Sequence, residues 1–497
     1  MIRREARHEL AVMTLCLLFP SAALAQTNST SLASLLDERV PAYLEEFTTP
    51  GAAVALIRDG RVVFQRGYGR AGEADEDAVT AETGFNIGSI SKTVAAWGIM
   101  RLVERGMLEL DAPVEKYLTR WAIPDSEFDA GGVTVRRLLS HTAGLSLSGY
   151  PGWDPGEELP TLEASLSGAT NGSGDVHLMS EPGTEWRYSG GGFTLLQLLV
   201  EEVTGRPFAD YMRDEVLRPL GMESSDYEIT PEIAAGSSLA FDRFGEPTPS
   251  PRFTALAAAG LHTTLEDLAT FAVAALEGPA DEPPGRGILE PETVALMTSP
   301  VLVSDGTYGL GYGAEPLGEE LVMVGHNGAN TGWHAAFWIV PETGSGFVVV
   351  TNGSNGWPVH RQIRCDWIEE QTGTRPRCEK PIGTHLIAVL LDGDGEAAVR
   401  RYRALKRESP EEYHFDEWEL NGVGYELLSR DRVEDAIEIF ELNVEEYPQA
   451  SNPFDSLGEA YMIAGETERA IQSYRKSLEL DPANENAARK LEELESS

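Results

Sequence analysis

With 497 residues the chain is too long for one ordinary hydrophobic core, so two or more domains are expected. Its 42% apolar content excludes a disordered chain. A formal net charge of −41 argues against nucleic acid and anionic lipid as partners, since both would be repelled; the acids are dispersed, which reads as a solubilising surface.

Residues 1–25 read as an address. Arg3, Arg4 and Arg7 precede the apolar run "LAVMTLCLLF" and then "SAALAQ", whose Ala23 and Ala25 give the small-residue cleavage pattern. The run is shorter than the roughly 20 residues of a membrane-spanning helix. A cleaved signal peptide is expected, and with it export to the periplasm or beyond. No later segment is apolar enough to span a bilayer. The arginine-rich, lysine-poor composition suits a bacterium. Two cysteines then remain, Cys365 and Cys378, which can pair in an oxidising compartment if their geometry allows.

"GAAVALIRDGRVVFQRGYG" places two apolar runs around Arg58, Asp59, Gly60 and Arg61, a hairpin signal. "SKTVAAWGIMRLVERGM" and "GFTLLQLLVEEVTG" carry helical periodicity, the second ending at Gly205. "ELVMVGHNG" and "AAFWIVPETGSGFVVVTNG" add three β-rich runs. Strands from both ends with helices between them predict an α/β fold, an antiparallel sheet flanked by helices with a helical insertion. After about residue 380 the composition turns to charged helix formers. Gly424, Ala436, Ile437, Phe440 and Pro448 recur 34 residues later as Gly458, Ala470, Ile471, Tyr474 and Pro482. That set resembles the tetratricopeptide pattern, departing from it at Leu427 and Asn443. The expected organisation is a catalytic domain over 26–380, a helical linker over 381–416, and an all-α repeat domain with a polar capping helix over 417–497. "EAAVRRYRALKRE" within the linker is expected to pack on the repeats or on the catalytic body.

The chemistry begins at "FNIGSISKT". Only six of the 39 basic residues are lysines, and Lys92 lies three residues after Ser89. That spacing puts both side chains on one helix face. Alone it is weak: Ser473 and Lys476 share it within the second repeat, where a surface reading prevails. At Ser89 the break "NIG" precedes a helix start, where unsatisfied N–H donors and the helix dipole favour developing negative charge. Ser89 could simply cap that helix. A lysine in the first turn opposes the dipole, and its cost suggests a role: a buried amine that takes the serine proton.

Taken in order, "FNIGSISKT", "TVRRLLSHTAGL", "WRYSGGGFTLLQLLVEEVTGRPF", "AAAGLHTTLEDLATF" and "GHNGANTGWHAAF" resemble the motifs of the class C β-lactamase and penicillin-recognising serine hydrolase superfamily over about residues 30–375. The resemblance implies a β-lactamase-like fold with Ser89 as acyl-accepting nucleophile, Lys92 as its proton partner and Tyr188 as proton relay. It places His326 and Gly328 on the strand edging the site, with the Ala329 N–H joining that of Ser89 as an oxyanion hole. One departure stands out: Gly190 occupies a position where the family commonly has asparagine. This weakens β-lactam or peptidoglycan specificity and tilts the reading toward a small ester, amide or peptide substrate. His141 reads as a structural turn residue. His262 and His334 show no metal-ligand spacing with a third partner, so a zinc site is not expected, and the hydrolase reading implies no cofactor. The rival from another class is a non-catalytic binding scaffold whose repeats dock a protein partner. Esterase, D-amino peptidase and β-lactamase remain open within the enzyme class.

Overall fold

The computed structural model describes residues 31–74 and 77–496; the expected signal peptide lies outside the described residues. Six strands form one antiparallel sheet: β1 (Gly51–Arg58), β2 (Arg61–Gly69), β3 (Gly313–Leu317), β4 (Leu321–Asn330), β5 (Trp333–Val340) and β6 (Ser345–Thr351), in the order β2-β1-β6-β5-β4-β3. The turn between β1 and β2 uses Asp59 and Gly60 at φ 50° and 64°, the doubly left-handed turn whose twist suits a two-residue hairpin. β1 closes the sheet across the chain by pairing with β6, Ala52 opposite Thr351.

β1, β5 and β6 are covered on both faces, which explains why they read as continuous apolar runs. Ala52, Val54 and Leu56 face one core with α1 (Leu32–Glu46) and the helix Gly356–Thr372. Ala53, Ala55 and Ile57 face a larger core built with α2 (Ile90–Glu104), α3 (Val135–Leu139), α4 (Gly190–Thr204) and α5 (Leu265–Ala274). This is the β-lactamase-like α/β sandwich that the motif order implied. α4 ends where expected, Gly205 taking the left-handed C-cap. Gly356–Thr372 is α6, and Cys365 on it is disulfide-bonded to Cys378, the Cα atoms 6.5 Å apart.

From Ile382 to Glu495 the chain is almost entirely helical: α7 (Ile382–Asp392), α8 (Gly395–Glu408), α9 (Glu417–Leu428), α10 (Val433–Glu446), α11 (Ser451–Ile463), α12 (Thr467–Leu480) and α13 (Glu485–Glu495). These helices share a separate core. The 34-residue period has a physical cause. A Cβ on Gly424 would stand 2.4 Å from the Phe440 ring, and one on Gly458 would stand 3.0 Å from the Tyr474 ring, so each glycine lets an aromatic ring of the next helix close in. "EAAVRRYRALKRE" forms most of α8 and packs against α7 and α10. The helical region touches the body through a short hairpin, Ala240–Phe241 with Pro247–Thr248. Asp242 there pairs with Arg430, whose guanidinium also lies 4.3 Å over the Phe244 ring. No helix among the described residues is long and apolar enough to cross a membrane.

Candidate active site

Ser89 stands at the start of α2, reached through a turn that Asn86 shapes by accepting the Gly88 N–H at 2.9 Å. Its hydroxyl does not cap the helix. Instead Oγ accepts a hydrogen bond from Lys92 Nζ at 3.0 Å. Lys92 is only 2% exposed, and no carboxylate among the described residues pairs with it. Nζ also donates to the Ala258 carbonyl at 2.7 Å and lies 5.0 Å over the Tyr188 ring. The Ser473 and Lys476 pair behaves otherwise: Lys476 bonds Glu479 at the surface, and Ser473 is buried against its neighbours rather than exposed.

Tyr188 precedes Ser189, the N-cap of α4, whose hydroxyl accepts from the Gly192 N–H at 2.9 Å. Gly190 follows, and a Cβ there would come within 3.1 Å of the Ser148 carbonyl, so the loop before it leaves little room for a larger side chain.

β3 pairs only with Leu321–Gly325, so His326 to Asn330 form an open strand edge beside the Ser89 turn. The approach is close enough to require glycine. A Cβ on Gly328 would stand 1.9 Å from the Ile87 carbonyl oxygen and 3.1 Å from the Ser89 nitrogen. The Ala329 nitrogen lies 2.5 Å from where a Gly88 Cβ would be, so the Ser89 and Ala329 amides border one space. That space opens into a cavity of about 370 Å³ lined by Ser89, Tyr188, Gly328, Ala329, His334 and Trp357. Tyr188 and Asn327 separate it from a second cavity of about 440 Å³ walled by Trp186, Tyr308 and Trp338.

His326 closes the inner end. Its Nδ1–H donates to the Asn327 carbonyl at 2.5 Å, which leaves Nε2 to accept from the Tyr308 hydroxyl at 3.0 Å. Burial, and then the Lys92 charge, hold its pKa down to about 4, so the ring is neutral across the physiological range. The structure thus gathers Ser89, Lys92, Tyr188, His326, Gly328 and Ala329 at one cleft. The sequence reading missed Tyr308, Trp357 and the Ala258 carbonyl. The run "YGLGY" around Tyr308 marks a glycine-rich turn in the sequence, but its place beside His326 emerges only from the fold.

The model of the family described as Beta-lactamase matches residues 36–364. Penicillin-binding protein 4 of Amycolatopsis lactamdurans is 30% identical over 388 residues, 72% of this chain and 97% of that protein. Esterase EstB of Burkholderia gladioli is 29% identical over 207 residues, 40% of this chain and 53% of the esterase. Among solved structures, the octameric penicillin-binding protein homologue from Pyrococcus abyssi superposes with a TM-score of 0.58 at 27% identity, over 69% of this chain and 78% of that one. With a match across the whole sheet and cleft, this chain belongs to the Beta-lactamase family.

Proposed function

We propose that the protein is an exported serine hydrolase that cleaves an ester or amide bond through an acyl-enzyme on Ser89. The observation that carries this reading is the 3.0 Å contact of Lys92 Nζ with a serine hydroxyl that caps no helix. Ser89 Oγ attacks the carbonyl carbon, and the amides of Ser89 and Ala329 stabilise the oxyanion. The serine proton passes through Lys92 and Tyr188 to the departing oxygen or nitrogen as its bond to the acyl carbon breaks. Water then attacks the acyl ester, releasing the acid and restoring Ser89. No cofactor enters this sequence.

The substrate class follows from what surrounds the cleft. Beyond Asn327 and Trp357 lies a cavity of about 240 Å³ lined by Arg361. In so acidic a chain the Arg361 side chain has no hydrogen bond or ion pair among the described residues. It supports a substrate that carries a carboxylate near the scissile bond, such as a short peptide or an acidic ester. The Cys365–Cys378 disulfide supports export, since such bonds persist in oxidising compartments. The helical region braces the body through Arg430 and the 240–248 hairpin, and Trp418, 63% exposed on α9, leaves a surface for a protein partner.

The test is the intact mass of the protein after exposure to a broad serine-reactive phosphonate, wild type beside Ser89→Ala. One adduct on the wild type and none on the folded variant is expected. No adduct on either would leave the non-catalytic scaffold as the better reading.

A further inference from the structure

His141 follows Ser140, the C-cap of α3, and adopts a left-handed backbone at φ 58°, a strained conformation for a residue with a side chain. What the strain achieves lies on both flanks of Tyr188. The His141 carbonyl accepts from the Arg187 N–H at 2.8 Å, and its Nδ1 accepts from the Ser189 N–H at 3.1 Å. The residue between those two amides is Tyr188. Its ring rests on the imidazole, with centroids 4.3 Å apart and planes tilted by 38°.

A backbone N–H can only donate, so Nδ1 is unprotonated and the proton sits on Nε2. That nitrogen is buried with no partner among the described residues. A histidine kept for stability alone would not leave a buried donor unpaired, because the lost hydration is not repaid. Adding a second proton would require Nδ1 to give up Ser189. Burial, and then the Lys92 charge, keep the pKa well below the usual histidine value, so the grip persists.

We infer that His141 is a positioning residue for Tyr188, fixing its backbone from both sides and its ring from one face so that the hydroxyl can deliver a proton to the leaving group. The inference rests on the acyl-enzyme reading above. Placement matters because proton transfer in the transition state needs hydrogen-bond distance and alignment.

The experiment compares wild type, Tyr188→Phe, His141→Asn and His141→Gly on two esters of one acyl group. A p-nitrophenyl ester expels a phenolate that needs no proton, whereas an ethyl ester expels an alkoxide that does. Asparagine and glycine both accept a left-handed backbone, and melting temperature checks that each variant is folded. On the ethyl ester Tyr188→Phe and both His141 variants should lose about 100-fold in kcat with KM changed by less than about threefold, and on the nitrophenyl ester less than about tenfold. Equal losses on the two esters in the His141 variants, or none, while Tyr188→Phe remains selective, would overturn the inference alone; so would failure of both His141 variants to fold. Absence of selectivity in Tyr188→Phe would instead remove the relay itself, and wild-type inactivity on both esters would remove the hydrolase reading.

Discussion

In the sheet-and-helix body charged and titratable side chains are taken into the interior, several of them around Ser89, whereas in the helical region most charged groups lie outside, paired at the surface. Lys92, His141, His262 and His326 are all buried in the body. In the helical region Arg403 pairs with Glu445, Arg469 with Glu441 and Arg475 with Glu495, all solvent-facing. Such surface pairs contribute little to stability individually. The contacts also differ in range: the sheet joins Ala52 to Thr351, while each C-terminal helix packs mainly on near neighbours in sequence. A region whose polar burial costs stability is one shaped for chemistry. A region of local hairpins is shaped to stand.

The largest expected effect tests that division. Ser89→Ala should lower turnover of any substrate on the order of 10⁶-fold while leaving the melting curve unchanged, the scale found when a nucleophile is removed from a serine hydrolase. Gly424→Val, which forces a side chain against the Phe440 ring, should do the reverse. It should destabilise the helical region by about 1–3 kcal/mol and leave the rate per folded molecule within about twofold. A large loss of rate in a folded Gly424→Val protein would show that the helices reach the chemistry.

Acid should pull the two regions apart. Burial holds His262, His326 and His334 down to about 4, against about 6.5 in the unfolded chain. Between those values the unfolded chain binds protons that the folded body refuses. The body therefore loses stability as pH falls from about 6.5 to about 4, by up to about 3 kcal/mol for each histidine. In the helical region burial instead raises Glu417, Glu419, Glu438 and Asp455. Those carboxyls take up protons more readily folded than unfolded, so their contribution grows as pH falls toward the usual carboxylate range. Calorimetry of the intact chain at neutral pH and near pH 5 should show the body's transition falling while the helical transition holds or rises. Parallel decline of both would contradict the assignment of these buried groups.

Reducing Cys365–Cys378, which closes a short loop with a sequence separation of 13, should cost about 3 kcal/mol if the bond acts mainly by constraining the unfolded chain. Its loss should lower the melting temperature of the α6 end of the body. Activity at moderate temperature should survive, because neither cysteine lines the cleft.

The same division explains what the sequence disclosed. The hairpin at Asp59-Gly60 and the 34-residue period were legible because each depends on neighbours in the chain: a twist-matched turn and a glycine facing an aromatic ring. The cleft was legible only as an ordered set of motifs, since Ser89, Tyr188 and His326 meet through a sheet built from distant segments. Within "TVRRLLSHTAGL" nothing in residue type announces that His141 will take a left-handed backbone and hold Tyr188. A turn residue and a positioning residue look alike until the fold shows which amides it accepts. Tyr308 escaped for a related reason. Its role depends on the tautomer of His326, which the Asn327 carbonyl sets.

The smallest effect concerns specificity. Arg361 borders the Ser89 cleft through Asn327 and Trp357, and its side chain has no partner of its own among the described residues. A charge-assisted hydrogen bond to a substrate carboxylate contributes about 1.5–3 kcal/mol. Arg361→Gln should accordingly raise KM at least about tenfold for a substrate bearing a carboxylate, with kcat nearly unchanged. For the corresponding neutral amide or methyl ester the variant and the wild type should agree. Because Arg364 beside it is already paired with Glu315 and lies over the Trp338 ring, it cannot readily substitute. If the charged and neutral substrates respond alike to Arg361→Gln, recognition lies instead in the aromatic cavity walled by Trp186, Tyr308 and Trp338, and the charge of the substrate is incidental.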